Sequence, residues 1–427
     1  MSDVLPLPRL EPLSVQDQEA PAGAFLRTAR SFAPPPAFRA SVRTFSFLLL
    51  FLAGSCHPDR DSSLTNRIPV TVGGVMEGKS LSPANINLPT VSARICLRDV
   101  LERCFTVRKL LLDTGSSGLR IFPSAIPPGV APSTVLPQTA NRTSLWECLP
   151  FGTAHLWGRV VPADVTLGTG RAIRDLPVQF AEKSSFAPPP PCGRGTEGER
   201  PSISGIDGIL GVSPVRFDGG IYFKCSDHGC RPDAPSPREA IVNPVMREEK
   251  DNNGIVLRFP KIPKNGRGPI IGELLLGVGT ARDNRLPQGV RFFSMDGNGF
   301  FRAKTGRSSR LFYGRLDTGT TALVLPDQKI PACSPPLSHL ACPDRETFVS
   351  VFIPDTRSRQ RRFPILVGNA ETRLREHRSV AGDILYFSPE TSSPPFILGM
   401  PFFFGKNLFI LYPPTSSNKG SKFACRC

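Results

Sequence analysis

The sequence lacks the patterns of several large protein classes. No stretch shows the spacing of a long amphipathic helix, and 38 glycines and 46 prolines disfavour such helices. The five histidines lie in no strand–turn–helix context that would orient one of them in a Ser–His–Asp hydrolase. The stretch at Gly277 has neither the lysine nor the spacing of a phosphate loop. These absences exclude a helical bundle and disfavour serine hydrolases and nucleotide-binding enzymes. We expect no cofactor.

The sequence also has fewer acidic than basic residues. Asp and Glu number 36 against 52 Lys and Arg, which gives a formal net charge of +16. Such an excess favours contact with anionic lipid, polysaccharide or nucleic acid, but it specifies no fold. We interpret the basic clusters that begin at Arg357 and Arg373 as solvated loops. The export signal described next argues against a nucleic-acid partner.

The longest apolar run, residues 45–53, is about half of the ~20 residues that a membrane-spanning helix needs. It follows a basic stretch and has the length of a signal-peptide core, so we predict that residues 1–56 are an N-terminal extension with an export signal. Its end, residues 52–56, resembles the lipobox of bacterial lipoproteins, except that Ala53 stands where leucine is usual. The resemblance implies a periplasmic or membrane-anchored lipoprotein, attached through a lipidated Cys56. Plain signal cleavage is the alternative.

Ten cysteines remain beside Cys56, an even number in a chain predicted to be exported, so disulfides are expected. Three close pairs span short, turn-rich stretches and are the predicted bridges: Cys96 with Cys104, Cys225 with Cys230, and Cys333 with Cys342. Cys148 with Cys192 is a further candidate, and Cys425 and Cys427 have no clear partner. A zinc site at Cys225, His228 and Cys230 is the alternative, but no second pair of ligands matches it. We expect no metal.

From about residue 67 the chain consists of short apolar runs bounded by Gly, Pro or Asp, such as IPVTVGGV, GIVLRFP and FILGMPFFF. This pattern is typical of strands joined by turns. We interpret Pro-rich interruptions at residues 187–192 and 232–237 as surface loops, and the second lies near the middle of the exported part. The sequence therefore predicts an all-β protein with two lobes, residues 66–240 and 241–427.

A duplicated pattern is the most informative feature of the sequence. One segment in the first half, LLLDTGSSGLRIFP at residues 110–123, resembles GRLDTGTTALVLP at residues 314–326 in the second half. A second segment, IDGILGV at residues 206–212, resembles FILGM at residues 396–400. Each half thus has an apolar strand, Asp-Thr-Gly, two hydroxyl or small residues, a second apolar strand and a later Ile-Leu-Gly. This order predicts one structural unit used twice.

At these residues the chain resembles the pepsin-like aspartic peptidases, in which each lobe contributes one Asp-Thr-Gly loop to a cleft between the lobes. Asp113 and Asp317 match the catalytic pair, and Phe-Gly-Thr, residues 151–153, falls where those enzymes have their flap hairpin. The resemblance covers roughly residues 66–412 and implies an all-β, bilobal pepsin-like fold. Segments around these motifs, and Asn-Pro-Val at residues 243–245, are also similar to a bacterial exported family, domain of unknown function 3443.

Paired carboxylates suit amide hydrolysis without a metal, serine or cysteine. One carboxylate takes a proton from water while a neighbouring carboxylic acid protonates the carbonyl oxygen. Two like charges held about 3 Å apart cannot both ionise easily, so the pair shares one proton. Supporting roles are expected for the residues that follow each aspartate. Thr114 and Thr318 would hold the loops together, Gly115 and Gly319 would admit backbone N–H groups, and Ser116 and Thr320 would bind the outer carboxylate oxygens.

The flap departs from the pattern of the peptidases. Phe151 replaces the usual tyrosine and loses its phenolic donor, and Arg120 stands where a tryptophan usually partners that tyrosine. Gly152 and Thr153 keep the rest of the motif. Trp157 is a candidate to cover the cleft instead, and packing within the hairpin is the alternative. We assign these residues, apart from Arg120, to the flap and substrate-binding region.

Together these patterns predict an exported, monomeric aspartic endopeptidase that hydrolyses a peptide or protein substrate with a water held between two aspartates. The changed flap leaves two alternatives. One is a catalytically inactive binding or cell-envelope protein that keeps the cleft as a groove, and the other is an enzyme that processes only itself. The basic composition favours ionised carboxylates, so we expect an acidic pH optimum that is less extreme than in pepsins with acidic surfaces.

Overall fold

The computed structural model describes residues 66–74, 85–97, 103–130, 143–151, 154–181, 188–190, 192, 205–262, 268–306, 308–326, 328–388, 393–414 and 420–426. All of them lie in the second of the two units into which the chain divides, Pro58–Cys427. Cys56 and the rest of the predicted N-terminal extension lie outside the described residues, as do Gly152 and Thr153. No helix in the described ranges is long and apolar enough to cross a membrane.

Strands dominate the described residues, and the all-β prediction is confirmed. The strands are β1 (Arg67–Val72), β2 (Pro89–Leu97), β3 (Cys104–Asp113), β4 (Ser117–Ile121), β5 (Ser144–Phe151), β6 (Ala154–Leu167), β7 (Ala172–Phe180), β8 (Gly208–Val212), β9 (Ile221–Ser226), β10 (Gly229–Asp233), β11 (Gly254–Arg258), β12 (Ile270–Leu276), β13 (Arg291–Ser294), β14 (Phe301–Thr305), β15 (Phe312–Leu316), β16 (Leu323–Leu325), β17 (Thr347–Pro354), β18 (Gln360–Val367), β19 (Leu385–Phe387), β20 (Phe396–Leu398), β21 (Asn407–Leu411) and β22 (Lys422–Cys425).

Helical structure in the same part of the chain is limited to short pieces. The α-helix α1 is Ala370–Arg375, and 3₁₀ turns lie at Pro123–Ala125, Pro244–Arg247 and Met400–Phe402. The side chain of Asn369 begins α1 by accepting the Thr372 N–H at 2.9 Å. The basic stretch at Arg373, expected to be a loop, therefore lies partly in a helix.

Burial along the strands follows their place in the fold. β17 alternates between buried and more exposed positions, as expected of a strand with one face on the core. β8 is buried at all five positions, and it lies between β3 and β4. A continuous apolar run suits such an interior strand, because both of its faces are covered. The first Ile-Leu-Gly motif is therefore an interior element that supports the strands on either side.

The described strands form two sheets. The larger has the order β10-β9-β5-β6-β7-β4-β8-β3-β2-β1-β12-β11-β21-β22-β13, and the smaller has the order β18-β17-β14-β15-β20-β16-β19. The larger sheet crosses the boundary predicted at residue 240, because β1 pairs antiparallel with β12, from Arg67 opposite Leu275 to Val72 opposite Ile270. Strands from both predicted lobes thus share one hydrogen-bonded sheet.

The duplication predicted from the sequence is present in the strand pairing. In the first half, neighbouring strands run in the order β2-β3-β8-β4-β7, and in the second half they run β14-β15-β20-β16-β19. The senses of the four pairings also agree, in order antiparallel, parallel, antiparallel and parallel. Each Asp-Thr-Gly segment follows or ends the second strand of this unit, and each Ile-Leu-Gly lies on or follows the third.

The three predicted disulfides are confirmed, together with the further candidate. The bridges are Cys96–Cys104, Cys148–Cys192, Cys225–Cys230 and Cys333–Cys342. Cys425 is also disulfide-bonded. The first and third bridges join residues directly opposite each other on paired strands, β2 with β3 and β9 with β10. These two bridges could be predicted from the short sequence distance between their cysteines, because each pair flanks a hairpin turn.

Candidate functional site

The two Asp-Thr-Gly loops meet through reciprocal hydrogen bonds between their threonines. The Thr114 N–H donates to Thr318 Oγ1 at 3.1 Å, and the Thr318 N–H donates to Thr114 Oγ1 at 3.0 Å. Thr114 Oγ1 in turn donates to the Leu316 carbonyl oxygen at 3.1 Å, and Thr318 Oγ1 donates to that of Leu112 at 2.6 Å. Both threonines are buried. Each hydroxyl therefore satisfies a backbone group of the opposite loop, which fixes the distance between the loops.

Each aspartate is held by groups of its own loop. Asp113 accepts the Gly115 N–H at 2.7 Å and the Ser116 hydroxyl. Asp317 accepts the Thr320 N–H at 3.1 Å and the Thr320 hydroxyl at 2.9 Å. These bonds reach both oxygens of each carboxyl group and therefore fix its orientation.

The two glycines leave room for the carboxyl group of the opposite loop. A Cβ atom on Gly115 would lie 2.6 Å from Cγ of Asp317, and one on Gly319 would lie 2.9 Å from Oδ1 of Asp113. Both distances are shorter than real Cβ contacts, so any other residue would push the aspartates apart. The motif needs glycine here because of this close approach.

Burial and the neighbouring Asp113 raise the pKa of Asp317 to about 7, while the Thr320 hydroxyl and the Arg315 charge act in the opposite direction. A hydrogen bond with Asp113 is a further, smaller cause of the rise. At acidic pH Asp317 therefore keeps its proton beside the Asp113 carboxyl group.

A cavity of about 710 Å³ opens over the two aspartates. Its wall includes Leu149 and Pro150 of β5, residues 217–219 that follow β8, residues 298–300 before β14, and Arg315. β5 and β6 form a hairpin in which Phe151 lies opposite Ala154. The structure thus places the hairpin predicted as a flap beside the aspartates, although the Phe151 side chain lies outside what is described.

Trp157 does not lie on the wall of this cavity. It is buried and stacks on Trp146 with ring centroids 5.2 Å apart, and Phe223 contacts it edge-on at 5.7 Å. The same cluster contains the Cys148–Cys192 disulfide. These contacts are those of a residue packed within the hairpin, the alternative interpretation of Trp157, and they do not support its assignment to the substrate-binding region.

A buried ionic cluster beside the cavity was missed by sequence reasoning. Arg120 is 0% exposed and its guanidinium pairs with Asp218 and, at 3.4 Å, with Glu147. Its Nη1 donates to the Ser117 carbonyl oxygen at 2.7 Å, and the Tyr222 hydroxyl donates to Asp218 at 3.1 Å. Asp218 lines the cavity, so the cluster connects the cavity wall to β4 and β5.

Both carboxyl partners of Arg120 are buried with it. Burial raises the pKa of Glu147 well above its usual range, Asp218 adds to this effect, and Arg120 opposes it. The guanidinium of Arg120 is thus the cation that favours ionised carboxyl groups in this cluster. An arginine in the apolar segment after Asp-Thr-Gly was the available signal, because a buried arginine requires carboxylate partners.

The candidate metal ligands are occupied by disulfides. Cys333, Cys342 and Glu371 bring three potential ligand atoms within 4.8 Å of one another, but the two sulfurs are bonded to each other. The bond between Cys225 and Cys230 likewise removes both thiolates of the zinc alternative. In the oxidised protein neither group has the ligands that a zinc ion requires.

We expect the free energy of unfolding of the Asp317→Asn variant to be higher, relative to that of the wild type, at pH 8 than at pH 4. The folded pKa of about 7 lies above the ordinary value of 3.8, so the proton stabilises the folded state. That stabilisation is fully present below about pH 4 and is lost as the pH rises through about 7, a change on the order of 3 kcal/mol. Thermal unfolding at both pH values measures it. Equal differences in Tm at the two pH values would contradict the raised pKa.

The sequence model of a family described as "Protein of unknown function (DUF3443)" matches residues 62–423. No curated protein matches the chain. The matched segment contains both aspartate loops, the β5–β6 hairpin and the ionic cluster around Arg120. The chain therefore belongs to the DUF3443 family of proteins of unknown function.

Proposed function

We propose that this protein is an aspartic endopeptidase with a pepsin-like, bilobal fold. The observation that carries the proposal is the pair of aspartates, whose loops are held together by reciprocal threonine hydrogen bonds. Burial and the neighbouring Asp113 raise the pKa of Asp317, which supports a pair that shares one proton. The repeated five-strand unit supports the fold, because each copy presents one Asp-Thr-Gly loop in the same position. Both loops belong to one chain, which supports a peptidase that acts as a monomer.

In the proposed reaction, a water molecule lies between the two carboxyl groups. Asp113 accepts a proton from this water, and the water oxygen bonds to the peptide carbonyl carbon. At the same time Asp317 gives its proton to the carbonyl oxygen. The raised pKa of Asp317 supports its role as the acid. Asp113 then gives its proton to the amide nitrogen while Asp317 takes a proton back from a hydroxyl group of the tetrahedral intermediate, which breaks the C–N bond, re-forms C=O and releases two peptides. The hydrogen bonds from Ser116 and Thr320 hold both carboxyl groups in place throughout.

The proposed substrate is an extended peptide that lies across the cavity beneath the β5–β6 hairpin. Leu149 and Pro150 provide an apolar surface there, on which side chains of the peptide can pack.

We further infer that the protein works outside the cytoplasm. The four disulfides support this location, since such bonds persist in oxidising compartments. The apolar run at residues 45–53 and the cysteine at position 56 support export and attachment to the membrane through a lipid.

Incubation of the purified protein with a diverse peptide library from about pH 3 to pH 9 tests the proposed activity. We expect cleavage at acidic and near-neutral pH, with a decline above about pH 7 as the shared proton is lost. Cleavage should disappear in Asp113→Asn and in Asp317→Asn. A folded wild-type protein that cleaves nothing at any pH would overturn the proposal and favour a binding groove instead.

A further inference from the structure

We propose that Arg315 makes the cleft selective for peptides that carry an acidic side chain beside the bond to be cleaved. This inference rests on the proposed function, because it names the substrate class of that site. The proposed ligand group is the carboxylate of a glutamate or aspartate residue within the bound peptide.

The guanidinium of Arg315 is fixed close to the aspartate pair. Arg315 lies on β15, two residues before Asp317, and lines the cavity. Its Nη1 donates to the Gly115 carbonyl oxygen at 3.0 Å, and the group lies over the Phe300 ring, 4.4 Å from the centroid. A hydrogen bond and a ring contact hold the side chain in one orientation, which lowers the entropic cost of binding a ligand.

Arg315 also retains unused binding capacity. No carboxylate among the described residues lies within ion-pair distance of it, whereas Arg120, another arginine near the wall, is paired with Asp218 and Glu147. A guanidinium has five N–H donors, and one of these is used by Gly115. The remaining donors suit a carboxylate, which accepts two parallel hydrogen bonds.

The charges around the cleft favour the same ligand. The aspartate pair carries about one negative charge when it shares a proton, and this charge would repel an acidic side chain in the absence of a nearby cation. Arg315 supplies that cation on one side only, because the matching position in the first half is Leu111, which is buried in an apolar cluster. Acidic selectivity is therefore expected at one position of the peptide rather than on both sides of the cleaved bond.

Matched peptides that carry glutamate or glutamine at each position around the cleaved bond test this inference at about pH 6, where glutamate is ionised. We expect the wild type to prefer glutamate at one position by about tenfold or more in kcat/KM. Arg315→Gln should remove the preference, and Arg315→Lys should keep part of it. Arg310→Gln is the matched control, because Arg310 is exposed and lies over Phe312 at 5.4 Å, away from the cavity wall.

A role for Arg315 in lowering the pKa of Asp317, without any contact with the peptide, would give a different result in this experiment. If it only lowers the pKa of Asp317, Arg315→Gln will shift the pH profile equally for both peptides and leave their ratio unchanged, which would overturn the inference. Binding of the same peptides, measured by fluorescence anisotropy, separates this failure from failure of the peptidase proposal. Binding of the glutamate peptide that depends on Arg315 in a protein without cleavage supports the acidic site alone. Equal binding of both peptides would overturn it.

Discussion

Replacement of Asp113 by asparagine is expected to lower kcat/KM for peptide cleavage on the order of a thousandfold. Asparagine has nearly the same shape: its carbonyl oxygen can still accept the Gly115 N–H, and its NH2 group can donate to the Ser116 oxygen, which donates to Asp113 in the wild type. It cannot take the proton of the attacking water at the pH of the reaction, so the loss isolates the chemical step. The same change at Asp317 removes the acid and is expected to have an effect of similar size.

The control for these variants is Asp227→Asn, in an exposed turn between β9 and β10 that does not line the cavity. It should cleave at the wild-type rate. Measurement of kcat and KM separately shows whether the change affects chemistry or binding, and we expect kcat to fall while KM changes little. An Asp113→Asn protein that retains more than about a tenth of the wild-type rate would contradict the assigned role.

Arg120→Leu is expected to reduce the free energy of unfolding by roughly 3–5 kcal/mol at neutral pH, because it leaves Asp218 and Glu147 buried without their cation. Urea unfolding, followed by circular dichroism, measures the change.

Arg174→Leu is the matched control for this prediction. Its ion pair with Asp164 has a distance of 3.9 Å, and the arginine side chain is 73% exposed. Such exposed pairs contribute about 0–1 kcal/mol, so little change is expected. A loss below about 1 kcal/mol for Arg120→Leu would show that the buried cluster adds no more than a surface pair.

The parts of the site that were predictable from the sequence have a local signature. Asp-Thr-Gly occurs twice with the same apolar strands around it, so the repeat predicted that Asp113 and Asp317 belong to equivalent loops. The close cysteine pairs flank turns and could be predicted by the same kind of reasoning. In each case, a pattern of residues near one another in the sequence identifies the loop or turn to which they belong.

The ionic cluster has no comparable signature. Arg120 lies 27 residues from Glu147 and 98 from Asp218, and its pairing depends on how β4, β5 and the segment after β8 come together. The same reason explains the role of Trp157, since its partner Trp146 is on the opposite strand of the hairpin. The sequence pattern also gave no sign that β1 joins β12 across the expected boundary between the lobes.

The reciprocal threonine contact joins residues that are 204 positions apart in the chain. Neither half contains both carboxyl groups, so an incomplete chain emerging during synthesis would have no proteolytic capacity under the proposed function. Activity would begin only after the second half has folded against the first. In a protein predicted to be exported, the need for both halves would delay proteolysis until synthesis is complete. The folding of the second half would by itself set the time at which proteolysis begins.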